Sequence, residues 1–263
     1  MVLGIDTAAR LTAAQAKALK AAGYDFAGRY LVPSGSKALT KAEAETITAA
    51  GLNILTVWET TAGRAKGGAA AGAEDGAQAL ACAKQIGMPT SGVIYFAVDF
   101  DAQGSDMDAI EAYLRAAKAM TGDYPIGVYG SYSVVETMAQ HQVCEHFWQC
   151  IAWSYGKKSA YRDVYQDQWN QSVAGVWVDI DECADMAAAG MWNYEEETMS
   201  GEEIYNSLMA YLGSLSLPDW AEKELAEAEA LGITDGSSPM LFTPRYQAAI
   251  MAKRAVEKLK EEK

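Results

Sequence analysis

The sequence predicts an α/β chain: a TIM-like (β/α) barrel, irregular because its last three strands are poor in helix, followed by a small all-α module at the C-terminus. Three observations predict it. Short apolar runs alternate with alanine-rich helical stretches from the first residues onward. Roughly eight such runs occur before residue 188, the strand number of a closed barrel. Beyond that point the pattern is helical only.

Taken in order, the strands read as 2–6, 26–31, 52–59, 93–101, 126–130, 147–154, 164–169 and 176–181. The helices between the early strands carry start and stop signals. Thr12 with Gln15 and Thr40 with Glu43 each fit a capping box, in which side chains satisfy the free amides of a first turn, and Gly23 and Gly51 mark the ends. The stretches between the last three strands are too short for crossover helices, so the barrel is expected to lack cover on that side. Alternation then assigns faces. In the fourth strand Ile94, Phe96, Val98 and Phe100 form a row suited to packing under helices, while Tyr95, Ala97, Asp99 and Asp101 share the other face. In the last strand Val176, Val178 and Ile180 oppose Trp177, Asp179 and Asp181.

The barrel is assigned to residues 1–188 and a polar, acidic linker to 189–200. A helical module fills 201–263: one helix from 201 to 212 capped by Ser200 with Glu203, one from 219 to 231, and one starting at Thr243 with Pro244 in its first turn. The turn-rich GITDGSSP lies between the last two.

Charge and composition exclude several classes. A net charge of -14 without a basic patch argues against nucleic acid as a partner, because phosphate binding draws on clustered Lys and Arg. No segment is long and apolar enough for insertion in a membrane. Cys82, Cys144, Cys150 and Cys183 lack metal-site spacing and read as buried thiols. The N-terminus shows no secretion-signal pattern, so the chain is expected to be made in the cytoplasm.

In a barrel of this kind chemistry gathers where strands end at the carboxyl face. Four strands finish in acids: Asp6, Glu59, Asp99 with Asp101, and Asp179 with Asp181. Glycosidic cleavage needs one protonated carboxyl to donate to the leaving oxygen and a second group to stabilise or attack the cationic centre, and clustered acids supply both. That scheme needs no metal and no cofactor. A divalent cation held by several of the carboxylates is the other reading of the cluster. His141 and His146 do not have metalloprotease spacing, and no GxSxG elbow is present. Tyr30, Trp58, Tyr129, Tyr132, Trp153, Trp169 and Trp177 crowd the same strand ends as candidates for stacking on sugar rings, with Arg29 and Gln166 as polar groups that fix orientation.

The segments GIDTAARLTAAQAKALKAAGYDFAGRYL, AGLNILTVWET, GVIYFAVDFD, IGVYGSY and YQDQW followed by VWVDID resemble a glycoside-hydrolase-like family, domain of unknown function 1906, from about Gly4 to Asp181. That family is similar to the family 25 glycoside hydrolases, muramidases whose barrel has five β/α units and three helix-poor strands. The resemblance implies an N-acetylmuramidase acting on bacterial peptidoglycan. In this reading Asp99 positions or stabilises the reacting centre, Asp101 or Glu59 donates the proton, and Asp6 with Asp179 or Asp181 tunes their ionisation. Muramidases normally carry DxE on the fourth strand, where this sequence has Asp101, one methylene shorter. A barrel that binds glycan without turnover is the alternative. Residues 201–263, with GITDG followed by TPRYQAA, resemble a single surface-layer-homology repeat, which implies binding of a wall polymer or self-association. The module order resembles a phage endolysin, and hence action at the cell wall after holin-dependent release.

Overall fold

The structure, a computed structural model, describes residues 1–194, 201–237, 239–240 and 245–261. The chain divides into two compact units, 1–194 and 195–263. In the first, eight strands close a barrel in sequence order: β1 Val2–Asp6, β2 Phe26–Tyr30, β3 Asn53–Trp58, β4 Ile94–Ala97, β5 Ile126–Gly130, β6 His146–Cys150, β7 Val164–Val173 and β8 Val176–Cys183. Helices α1 Ala13–Ala21, α2 Lys41–Ala49, α3 Gly68–Ile86, α4 Met107–Met120 and α5 Tyr132–Gln140 follow the first five strands. No helix follows β6 or β7 before the barrel closes.

The wall is not wholly parallel. Strands β1 to β7 pair in parallel, but β8 runs antiparallel to both of its neighbours, β1 and β7. A two-residue turn forces this reversal: Val173 pairs with Val176, and Ala174 and Gly175 between them have φ of 51° and 73°. Parallel neighbours need a crossover of a dozen or more residues, which the chain does not provide here. The carboxyl ends of β1 to β7 therefore share the barrel mouth with the amino-terminal half of β8.

Alternation sorts the apolar side chains into two layers. Ile5, Ala27, Ile54, Trp58, Ile94, Phe96, Val98, Val176 and Val178 pack outward with the helices, whereas Phe26, Leu55, Val57, Tyr95, Ala97, Trp148 and Val164 fill the barrel. Residues 189–194, expected as linker, instead close the floor. Ala189 and Met191 join the interior layer, the Val93 amide donates to Gly190 O, and Ile54 bridges to Trp192. Gly190 is required there, since its φ is +64° and a Cβ would meet Val93 Cγ2 at 2.0 Å.

Thr12 and Gln15 form the reciprocal capping box. Thr40 caps α2, but Glu43 does not reach back, because its carboxylate is committed to Arg29 and the Leu11 amide. All four cysteines are free and buried. In the second unit α6 Gly201–Ser214, α7 Asp219–Ala230 and α8 Arg245–Glu261 are the helices of the described residues. Residues 195–200 of the expected linker, with Ser200, and the expected helix start at Thr243 and Pro244 lie outside the described residues. No helix among the described residues is long and apolar enough to cross a membrane.

Candidate active site

At the mouth a small cavity of about 120 Å³ is lined by Asp6, Tyr30, Glu59, Asp99, Tyr129, Trp148, Gln166 and Asp179, with Val57 and Ala97 on its wall. Each position follows from strand register. Asp6 and Asp179 are direct partners in the β1–β8 pair, and Asp181, one layer deeper, faces Gly4. Asp99 follows the inward-facing Tyr95 and Ala97, while Glu59 follows Leu55 and Val57.

Gln166 ties the acids together. Its Nε2 donates to Asp6 Oδ2 at 2.7 Å and to Asp179 Oδ2 at 3.2 Å, and its Oε1 accepts from the Tyr129 hydroxyl at 3.2 Å. Both ends of the amide are thus used within the protein, which makes Gln166 a positioning residue for the carboxylates. The Asn170 amide donates to Asp179 Oδ1 at 2.8 Å, fixing that side chain from the hairpin.

Asp181 is fully buried. Trp148 Nε1 donates to its Oδ1 at 2.9 Å, while Oδ2 has no hydrogen-bond partner among the described residues. Asp6 is its charged neighbour, and two carboxylates this deeply buried disfavour carrying charge together. Burial, with the neighbouring Asp179 charge, pushes Asp6 up to about 7. Burial and Asp6 push Asp181 well above the ordinary carboxyl range. Asp99 is also raised, by burial and then by Glu59, with Lys37 opposing. Burial raises Asp179, against the Asn170 hydrogen bond. An acid that keeps its proton near neutrality can act as a donor, so the mouth holds protonatable carboxyls of the kind acid catalysis requires.

A family model for the Rv2525c-like, glycoside hydrolase-like domain matches residues 17–193. The chain belongs to this family. Residues 1–16, including β1 with Asp6, precede the matched segment, yet they complete the glycoside hydrolase-like barrel through pairing with β2 and β8. The chain is 34% identical over 140 residues to the uncharacterized protein FadG of Bacillus subtilis; the match covers 49% of this chain but only 24% of that protein's length. Its fold is similar to that of the Mycobacterium tuberculosis Tat-secreted protein Rv2525c in complex with L-tartrate, with 24% identity, a TM-score of 0.67, and coverage of 73% of this chain and 98% of that one. An uncharacterized B. stearothermophilus protein shares the fold at 21% identity and a TM-score of 0.57, over 73% of this chain and the whole of that one.

Not every residue singled out in the sequence reaches the mouth of this glycoside hydrolase-like barrel. Asp6, Glu59, Asp99, Asp179, Tyr30, Tyr129 and Gln166 line the cavity. Asp181 lies beneath it. Asp101 sits on the exposed loop after β4, which ends at Ala97, and is outside the lining. Trp58 and Arg29 point outward, because each adjoins an inward residue, Glu59 or Tyr30. Trp58 is buried under the helices. Arg29 is buried against Glu43, with Nε 2.8 Å from Oε1, and also donates to the Thr7 carbonyl. Trp153, Trp169 and Trp177 lie on the β6–β7 loop and the β7–β8 hairpin, outside the cavity.

Two residues were not anticipated. Trp148 spans the barrel from β6 to Asp181, edge-on to Tyr95 and Tyr129 with ring centroids 5.9 and 5.0 Å away. Gly28 makes room for it, since a Cβ there would lie 3.0 Å from Trp148 Cη2 and 2.6 Å from Asp6 Cβ. Strand alternation in HFWQC was the available signal. The other is Lys37, with Nζ 3.4 Å from Glu59 Oε2 and 4.4 Å from the Tyr30 ring centroid. A lone loop lysine carries no sequence signal.

Proposed function

We propose that the barrel is a glycan-cleaving hydrolase directed at bacterial peptidoglycan, an N-acetylmuramidase, acting at the cell wall. The observation that carries this reading is the convergence of Asp6, Glu59, Asp99 and Asp179 on one cavity whose other lining is aromatic and amide. The roles divide by environment. Asp99, raised by burial and by Glu59, is the proton donor to the leaving oxygen. Glu59, beside the Lys37 ammonium, is the carboxylate that stabilises the developing positive charge or activates water. Gln166, which also holds Asp6, and the Asn170 amide hold Asp179 in place at the mouth. Asp99 gives a proton to the glycosidic oxygen as its bond to the anomeric carbon breaks, and a water molecule then supplies the hydroxyl that bonds to that carbon and the proton that returns to Asp99, without any redox partner.

One observation favours the non-catalytic alternative, a glycan-binding barrel: the Asp101 position, where muramidases carry their donor glutamate, lies outside the cavity. The two readings separate by mass spectrometry of soluble products from purified peptidoglycan, in chelator, for the wild type and Asp99→Asn. The enzyme reading expects muropeptides with new reducing-end N-acetylmuramic acid, reduced roughly 100-fold or more by the substitution. No release by either protein, with both sedimenting with the wall, assigns the barrel to binding. Residues 201–261 belong to the same reading as an accessory module for wall-polymer binding or self-association.

A further inference from the structure

Exposed aromatic side chains and left-handed backbone occur together in one sector of the barrel unit. Its exposed large aromatics are Tyr155, Tyr161, Trp169 and Trp177, all between β6 and the middle of β8. Tyr161 packs on Phe147 at the amino ends of the strands. The other three lie at the mouth end: Tyr155, 82% exposed, on the β6–β7 loop, and Trp169 and Trp177, 54% and 68% exposed, on the β7–β8 hairpin. Among the described residues, five non-glycine positions have left-handed φ, and four of them, Trp153, Tyr155, Asn170 and Ala174, fall in these same two segments. Such backbone persists only where the surroundings over-determine it.

The surroundings do so here. Ser154, buried between Trp153 and Tyr155, donates to Cys150 O at 2.6 Å and accepts from the Tyr132 amide at 2.9 Å. Gln149, fully buried, donates to Lys157 O at 2.7 Å and accepts from the Ser159 amide at 2.7 Å. On the hairpin, the Asn170 amide is held by Asp179, and Thr7 Oγ1 donates to Trp177 O at 2.8 Å. The exposed aromatics are therefore presented on hydrogen-bonded supports.

Continuity with the cavity says what these rings meet. On β8 the side chains of Asp181, Asp179 and Trp177 share one face, from the barrel interior through the mouth to solvent. A cavity of about 120 Å³ is below the roughly 300–1,000 Å³ of pockets that enclose a whole ligand, so a polymer must lie mostly outside it. The acids at the mouth disfavour a polyanionic chain. Neutral pyranose rings, with their C–H faces, fit flat aromatic surfaces.

We propose that Trp177, Trp169 and Tyr155 form an outer stacking platform, on which a glycan chain continues from the cavity over the helix-free sector of the barrel. This rests on the glycan reading above and adds where the chain runs. The test is calorimetric titration of the full chain, carrying Asp99→Asn to prevent cleavage, with peptide-free peptidoglycan disaccharide and octasaccharide. With the platform intact, the octasaccharide binds more tightly than the disaccharide. Trp177→Ala weakens the octasaccharide roughly tenfold, and Trp169→Ala and Tyr155→Ala weaken it less, so the ratio of variant to parent Kd grows with chain length. Equal effects on both ligands, or no effect of the three substitutions combined, overturns the platform while leaving the glycan reading intact. If the Asp99→Asn protein binds neither oligosaccharide and does not sediment with peptidoglycan, both fall.

Discussion

Two buried charged pairs flank the same wall of the barrel and behave oppositely. On the outer side, Arg29 of β2 and Glu43 of α2 are both essentially removed from solvent, with opposite charges 2.8 Å apart and further bonds to Thr7, Leu11 and the Lys37 carbonyl. On the inner side, Asp6 and Asp181 are also buried but are of one charge type, and burial, with Asp179 acting on Asp6 and Asp6 acting on Asp181, pushes both upward. Degree of burial does not separate the two. The sign of the partner does: the first pair fixes where β1 ends and where the Lys37 loop starts, and the second keeps a titratable group at the floor of the mouth.

The comparison can be broken at several points. The largest effect belongs to Glu43→Ala, which leaves Arg29 buried without its partner. It is expected to cost about 3–5 kcal/mol and lower the thermal midpoint by on the order of 10 °C, measured by calorimetry. Gln166→Ala removes the amide that stabilises ionised Asp6 and Asp179. Its expected cost is about 1.5–3 kcal/mol at pH 8 and distinctly less at pH 5, where Asp6 holds its proton.

Asp181→Asn acts in the other direction. The amide keeps an acceptor for Trp148 and supplies a donor for Asp6, so stability at pH 8 should rise by about 1–2 kcal/mol. The sign of the pH dependence follows from Asp6. Its folded value of about 7 exceeds the ordinary 3.8, so the folded state takes up a proton and stability falls as pH rises through that window. Denaturant midpoints between pH 4 and 8 should fall in the wild type and flatten in Asp181→Asn. A steeper fall in the variant would show that Asp6 is not paired with Asp181. The smallest effect is that of Lys37→Met, well under about 1 kcal/mol because the Lys37–Glu59 pair is partly exposed. Since Lys37 opposes the upward shift of Asp99, its removal should move the Asp99 titration still higher, as read by carboxyl carbon NMR.

Alternation along single strands was legible and located Tyr95, Ala97 and Asp99 correctly on the inner face, as it did Asp179 and Asp181. The same rule, applied to adjacent residues, separates Trp58 from Glu59 and Arg29 from Tyr30. Grouping these residues by strand end alone placed both members at the mouth. Asp101 escaped because alternation holds only while the chain stays extended, and β4 ends at Ala97. The reversal of β8 was also written locally, in an Ala-Gly turn too short for a crossover. Residues 189–194 looked like a linker because their burial depends on partners more than ninety residues distant, Tyr95 and Val93 among them.

The sequence by itself determined the strand count, the helix-poor closing strands and the inward face of Asp99, Asp179 and Asp181, because these depend on periods of two and on connection lengths within short windows. Only the tertiary structure decided that burial raises Asp6 and Asp181, that Trp148 crosses the barrel to Asp181, and that Lys37 reaches Glu59. Those are contacts between strands and loops distant in sequence, and their chemistry is set by distance and burial, which no local pattern records.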